Sequence, residues 1–296
     1  MLSVIFVVAS VWVLSKTHAH ASPFTFAFPP PTVGGFLLMT GAAFGYAAGW
    51  NPYASDYTRY LKPETKSLPV AFYAAAGVFT SCVLLEVAGA AAVTTLSPKA
   101  AEAASISPAL ITDLLPTWLG KLTLVAVFLG AICANVLNIY SGSLSFMALG
   151  VKLPTDLARA IVAVVLGLIG FGVASHYIDN PSVYENFLLI IAYWIGPWLA
   201  VVFIDRYLRR GKTDTAAVAE DRKYQNWAGP IAMAIGSGVS IWLFANQYPK
   251  YIGPVPTRHP AWGDITFEAG FLLTAVLYLV LRLVIKPRTS VTTPAA

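Results

Sequence analysis

Eight apolar runs, separated by clusters of charge, proline and glycine, constrain what this 296-residue chain can become. They fall at Leu2–Leu14, Gly34–Ala54, Leu68–Leu96, Trp118–Leu149, Ala158–Ala174, Asn186–Phe203, Trp227–Ala245 and Phe267–Ile285. Most approach the roughly 20 residues that a helix needs to cross a hydrocarbon core. In lipid every backbone N–H and C=O must find a partner within the protein, which leaves helices and closed barrels as the spanning forms. Barrel strands are about 10 residues long and alternate apolar with polar positions, whereas these runs are long and continuous. The expectation is an all-α, polytopic membrane helix bundle of about eight spans. Only 11% of the residues are charged, against roughly 25% in a soluble domain.

The net charge is +5, and the placement of the basic residues decides what that means. One set of loops holds Arg59, Lys62, Lys66, Lys152, Arg159, Arg206, Arg209, Arg210, Lys212, Arg222, Lys223, Arg282, Lys286 and Arg288. The alternate loops and span ends hold only Lys16, Lys99, Lys121, Lys250 and Arg258. Lys and Arg concentrate on the cytoplasmic side of membrane proteins, so the first set is read as cytoplasmic, with the tail after Ile285 inside. The expected location is the cell (plasma) membrane, multi-pass, with the lipid bilayer as a partner. Topology accounts for the basic charge, and no nucleic-acid partner is expected. Cys82 and Cys133 fall within different spans, where a free cysteine packs as a small hydrophobe, and the four histidines show no metal-ligand spacing.

The opening run, MLSVIFVVASVWVLSKTHAHAS, is short for a span. Its Ala19-His20-Ala21 resembles a signal-peptidase site, yet no basic residue lies between Met1 and Ser15 to form the usual n-region. Two readings follow: a signal peptide, or the outer part of a span whose inner half is absent from this chain. The missing n-region favours the second.

The end of the second run breaks the rules for the inside of a membrane helix: GWNPYASDYTRYL, Gly49–Leu61. Before it, Gly41, Gly45 and Gly49 recur every fourth residue and stack on one helix face. Such a ridge lets another helix approach closely, so this span is expected to be packed by protein. Pro52 has no N–H for the carbonyl of Ala48 and its ring clashes there, so the helix should kink or open. Irregular backbone at membrane depth is tolerated only against protein or a water-filled cavity. Trp50 offers a flat apolar face and Asn51 a paired donor and acceptor. The alternative is an interfacial tryptophan followed by a helix-ending Asn-Pro. Asp56 and Arg59, three apart, are expected to form a local ion pair or anchor, with ion coupling through Asp56 the lesser reading.

The fourth run bears a stripe of small and polar residues, Ala131, Ala134, Asn135, Asn138, Ser141, Gly142 and Ser145, at three-and-four spacing. Polar residues within a membrane face the bundle interior or a cavity. An unmet amide in hydrocarbon costs several kcal/mol, so Asn135 and Asn138 either bond to a neighbouring helix or receive a ligand. Glu86, near the middle of the third run, should be protonated or paired, either as a proton relay or as a neutral partner of another helix.

The segment GWNPYASDYTRYLKP, together with ANVLNIYSGSLS from Ala134 to Ser145, resembles the purine-cytosine permease branch of the nucleobase:cation symporter-1 family, with the likeness running from Leu2 to about Pro287. The resemblance implies a LeuT-type fold of two inverted five-helix repeats followed by two peripheral spans, with substrate near the midplane. On that template residues 1–15 are a partial span, 33–210 the second repeat, 225–286 the peripheral spans and 287–296 a cytoplasmic tail. The chain then matches the second half of such a permease, as an N-terminally truncated member whose partners would include the missing N-terminal helices. The resemblance also implies that Trp50 stacks on a nucleobase or hydantoin-like ring and that Asn135 and Asn138 hydrogen-bond its edge, with Asn51 beside them.

The function expected from this is secondary active import of a nucleobase, cytosine or a purine, by cation symport. Sodium-coupled members place small hydroxyl side chains on the eighth span, and Leu124–Ile139 contains no Ser or Thr. Proton coupling is therefore preferred, through Glu86 or Asp56, with no cofactor beyond the co-transported H+ or Na+ and no metal site. The alternatives are a non-transporting permease fragment and a permease for allantoin, a hydantoin or a vitamin. An integral-membrane enzyme is not expected, since Ser141, Ser143 and Ser145 have no histidine on the same side.

Overall fold

The computed structural model of the chain describes residues 2–20, 33–62, 64–93, 112, 114–148, 155–177, 181–209, 221, 223–246 and 250–288. Among these the regular elements are helices, joined by turns and irregular segments, with an isolated β-bridge between Gln225 and Arg288. The helices are α1 (Leu2–His20), α2 (Val33–Ala48), α3 (Ala54–Thr58), α4 (Ser67–Val93), α5 (Thr117–Ala148), α6 (Thr155–His176), α7 (Pro181–Arg209), α8 (Ala228–Phe244), α9 (Pro254–Arg258) and α10 (Thr266–Val284). Each of the eight apolar runs contains a helix among its described residues, and five stretches are long and apolar enough to cross a membrane: Val33–Thr58, Ser67–Val93, Thr117–Met147, Ile190–Arg209 and Thr266–Val284. The remaining three, within α1, α6 and α8, are shorter apolar helices. The protein is an all-α, polytopic membrane protein.

Helix α1 runs past Leu14, where the apolar run ends. Its hydroxyls explain the extension: Ser15 Oγ donates to the Trp12 carbonyl (2.7 Å) and Thr17 Oγ1 to that of Leu14 (3.1 Å), while Lys16 lies over the Trp12 ring, 5.5 Å from its centroid. A hydroxyl that bonds back to a carbonyl of its own helix is satisfied there without a partner from another element.

The chain forms two compact units. The first comprises residues 1–30 and 52–184 and contains α1, α3, α4, α5 and α6. Here α1 packs on α4 and α5, and α5 on α6. Its core is small, with Ala9, Val13, Ala92, Leu115 and Leu119 meeting Trp12 and Leu114. On α4 only Ala88 and Ala92 are buried. Gly142 of α5 marks the approach of α6, where a Cβ would stand 3.0 Å from Leu166 Cδ1.

The second unit comprises residues 31–51 and 185–296. Here α8 lies along α10, and α9 bridges α8 to the 3₁₀ turn Pro260–Trp262, which abuts α2. Ala48, Ile195 and Leu199 form one buried cluster and Ala228, Ala232 and Tyr278 another. The expected packing of the α2 glycine ridge is present, with Gly41 against the Phe267 ring and Phe44 stacked on it at 4.2 Å. Helix α7 meets α10 at Gly196 and Pro197: a Cβ on Gly196 would be 2.8 Å from the Phe267 carbonyl oxygen, and Pro197 is fully buried. Gly263 adopts φ +65°, open to glycine at little cost, and its backbone rests directly on that of Gly34.

Candidate functional site

The helix does open at the Trp50 segment. Helix α2 ends at Ala48, the Gly49 N–H still reaches the Gly45 carbonyl (3.0 Å), and after Trp50 the chain makes one 3₁₀ turn, Asn51–Tyr53, before α3 begins. Pro52 sits within that turn, where its missing N–H breaks the ladder that α2 would otherwise propagate. Trp50 is half-buried and Asn51 is exposed. The division between the two compact units also falls here, between Asn51 and Pro52.

In the first unit, Asn135 and Asn138 lie three apart on α5, and both side chains are exposed. Beside them Ala134 is half-buried and Ser141 fully buried, so the amides flank the packed side of the helix. The structure adds a contact that spacing did not reveal: the hydroxyls of Tyr60 and Tyr140 are hydrogen-bonded. Tyr60 is the next-to-last residue of the Gly49–Leu61 segment and Tyr140 follows Asn138 by two residues, so a residue of each motif meets the other within one unit. Tyrosines were visible in both motifs, but nothing in their separation of 80 residues marked them as partners.

The two carboxylates take different positions. Glu86 is exposed on α4, one turn after Cys82, and Asp56 is half-buried in the first turn of α3. The expected ion pair between Asp56 and Arg59 does not form. Arg59 caps α3 through its backbone N–H to Ser55 (3.1 Å), and its side chain is exposed, where holding an ion pair gains little against side-chain entropy. Among the described residues no group of three His, Cys, Asp or Glu side chains could hold a metal ion.

The model of a family described as permease for cytosine/purines, uracil, thiamine, allantoin matches residues 1–280. The chain belongs to this permease family. It is 30% identical to purine-cytosine permease fcyB of Emericella nidulans over 91% of this chain and 55% of that protein. It is 28% identical to the putative purine-cytosine permease YxlA of Bacillus subtilis over 86% of this chain and 55% of the relative. With purine-cytosine permease FCY2 of Saccharomyces cerevisiae the identity is 27% over 85% of this chain and 49% of the relative. This family member thus spans about half the length of the curated relatives it matches. No solved structure matches it.

A second polar constellation lies in the second unit, of which the sequence reading includes only Arg209 and Arg282, as basic charge. Asp205 near the end of α7 receives Arg209 Nε (2.5 Å) and the Tyr278 hydroxyl (2.6 Å), with Arg282 Nε at 4.0 Å. Asn226 Nδ2 donates to the Tyr278 oxygen (2.9 Å), and Arg209 also bonds the Tyr224 hydroxyl. The i,i+4 spacing of Asp205 and Arg209 was legible. The partners Asn226, Tyr278 and Arg282 come from distant sequence and were not.

Proposed function

We propose that this chain carries substrate-binding elements of a permease that imports a nucleobase, cytosine or a purine, by cation symport. The observation that carries the reading lies within the first unit, where Tyr60 of one motif meets Tyr140 of the other, on the same apolar helix as the exposed amides of Asn135 and Asn138. Amides in an apolar span cost several kcal/mol if they face hydrocarbon, and a planar ring with donor and acceptor edges would satisfy them. In this reading Trp50 stacks on the ring, Asn135 and Asn138 bond its edge, and Asn51 supplies a further polar group at the opened turn. The printed names of fcyB, YxlA and FCY2 as purine-cytosine permeases support that substrate class. The family description also includes uracil, thiamine and allantoin, the alternatives to test beside it.

The coupling ion in this reading is the proton, with Glu86 and Asp56 as the carboxylates that would take it up. The architecture is an inverted-repeat transporter in which residues 33–210 form one five-helix repeat and 225–286 the peripheral pair, with the C-terminus cytoplasmic. Transport rather than covalent chemistry is the work of this family member.

Uptake of radiolabelled cytosine and adenine in cells lacking their own nucleobase permeases tests the proposal, with a parallel binding measurement on the purified chain by quenching of tryptophan fluorescence. Saturable binding that Trp50→Ala weakens about tenfold, the scale of one aromatic stack and its packing, is expected. Unaltered binding in Trp50→Ala and Asn135→Ala would sink the site assignment. Uptake that requires sodium and ignores a pH jump would sink proton coupling.

A further inference from the structure

We propose that Gln225, Trp227, Lys286 and Arg288 form a binding site for the phosphate headgroup of an anionic phospholipid, where α8 begins and α10 ends. The inference begins with backbone geometry. The Gln225 N–H bonds the Arg288 carbonyl (2.9 Å) and the Arg288 N–H bonds the Gln225 carbonyl (3.0 Å), a mutual pair of the antiparallel kind. The bridge is isolated: Asn226 and Pro287 are the next residues along it, and Trp227 already has helical dihedrals (φ −69°, ψ −20°) where α8 begins.

Gln225 and Arg288, with Trp227 and Lys286 beside them, line one cavity, whereas Asn226 and Pro287 do not. Exposure divides them in the same way: the first four are exposed and the latter two half-buried, with Asn226 turned inward to the Tyr278 hydroxyl. The cavity, which Ile285 also lines, has a volume of 230 Å³. Its lining carries two cationic residues, a tryptophan and a glutamine, and no acidic residue among the described ones.

Guanidinium and ammonium groups held on a fixed backbone suit a phosphate. The cavity falls below the roughly 300–1,000 Å³ of a drug-sized ligand's pocket. Its rim points to lipid as the source of the phosphate: Leu283 and Val284, which end α10 beside it, are 80% and 76% exposed, and Trp227 is 61% exposed. Indoles favour the membrane–water boundary, and an acyl chain attached to the bound headgroup would run along the apolar end of α10.

Native mass spectrometry of the purified chain in mild detergent tests this, with phosphatidylglycerol, phosphatidylcholine of the same acyl chains, and inorganic phosphate as probes. Phosphatidylglycerol should be retained about thirtyfold better than phosphatidylcholine, the scale of two basic residues at a membrane surface. The doubly substituted Lys286→Gln, Arg288→Gln chain should lose that preference, and Lys286→Arg with Arg288→Lys should keep it. The bridge is made by main-chain atoms, so these substitutions leave it intact, which an unchanged thermal midpoint would verify. Equal retention of the two lipids, retained preference in the neutralised chain, or displacement of the lipid by millimolar inorganic phosphate would each overturn the proposal. If the neutralised chain does not fold, the two-lipid comparison on the unsubstituted chain still decides it.

Discussion

The two compact units are built from equally apolar helices and use them in opposite ways. In the first, α4 spreads Phe72, Tyr73 and Phe79 outward at 66–74% exposure, and its buried positions are two alanines near one end. In the second, α7, α8 and α10 bury whole side chains, Tyr278, Ile195, Pro197 and Thr274 among them. The polar groups divide the same way. Asn135, Asn138 and Glu86 are exposed on the helices of the first unit, while Asp205, Tyr278, Asn226 and the Arg209 guanidinium bond one another within the second. Polar groups that bond internally specify a packed structure; polar groups left open on an apolar helix are available to something else. The difference separates the polar side chains that hold the second unit together from Asn135, Asn138 and Glu86 of the first, which are proposed to act in transport.

The largest test of that contrast is Asp205→Ala. It removes the acceptor of Arg209 and Tyr278 and leaves Arg282 without a neighbouring carboxylate. About a fifth of each ion-pair side chain stays exposed, which tempers the loss, so a destabilisation of roughly 2–4 kcal/mol is expected. Reversible unfolding in mixed detergent micelles would measure it. A change below about 0.5 kcal/mol, the range of ordinary surface substitutions, would mean the second unit is not held by its polar cluster.

Next in size is Gly236→Ala, at the contact of α8 with α10. The new Cβ would lie 3.2 Å from the Thr274 Cα and closer still to its side chain, and Thr274 is fully buried. Neither helix can yield without disturbing the other, and a loss of about 1–3 kcal/mol is expected from overpacking. A neutral result by the same unfolding assay would show that α8 and α10 are looser than their contact implies.

Asn135→Ala and Asn138→Ala test the other side of the comparison. Each removes one amide proposed to bond the ring, so substrate affinity should fall roughly fivefold to tenfold, the worth of about 1 kcal/mol. The unfolding midpoint should hardly move, because neither side chain is buried. If stability falls and binding does not, the amides serve helix packing and the proposed site is elsewhere.

How much of this was legible in the sequence follows from the range of each interaction. The eight helices were readable because apolar length is a local property, and the opening at Pro52 because the lost hydrogen bond is four residues away. Ser15 and Thr17 hid the true end of α1, since a hydroxyl reads as polar until its bond to a carbonyl three residues back is seen. Asp264 escaped notice altogether. It is buried, accepts the N–H groups of Thr266 (2.9 Å) and Asn246 (3.0 Å) and bonds the Tyr193 hydroxyl, so it ties α7, α8 and α10 together from a loop that looked like a simple connection. Tyr60 with Tyr140, and Asp205 with Tyr278, share that lesson: partners brought together by tertiary packing leave no spacing to count.

The smallest expected effect is the most discriminating, because its sign differs between the units. Gly170 of α6 lies in the first unit, and among the described residues no atom comes within 4 Å of where its Cβ would be. Alanine is better than glycine inside a helix by roughly 0.5–1 kcal/mol, and an open face has room for the methyl group. Gly170→Ala should therefore leave stability unchanged or raise it slightly, where the same exchange at Gly236 lowers it. If Gly170→Ala weakens the protein in membranes, that face of α6 is not against lipid. Small residues on a spanning helix are where another helix comes close, and a methyl group that lipid would accept would then be pressing against protein.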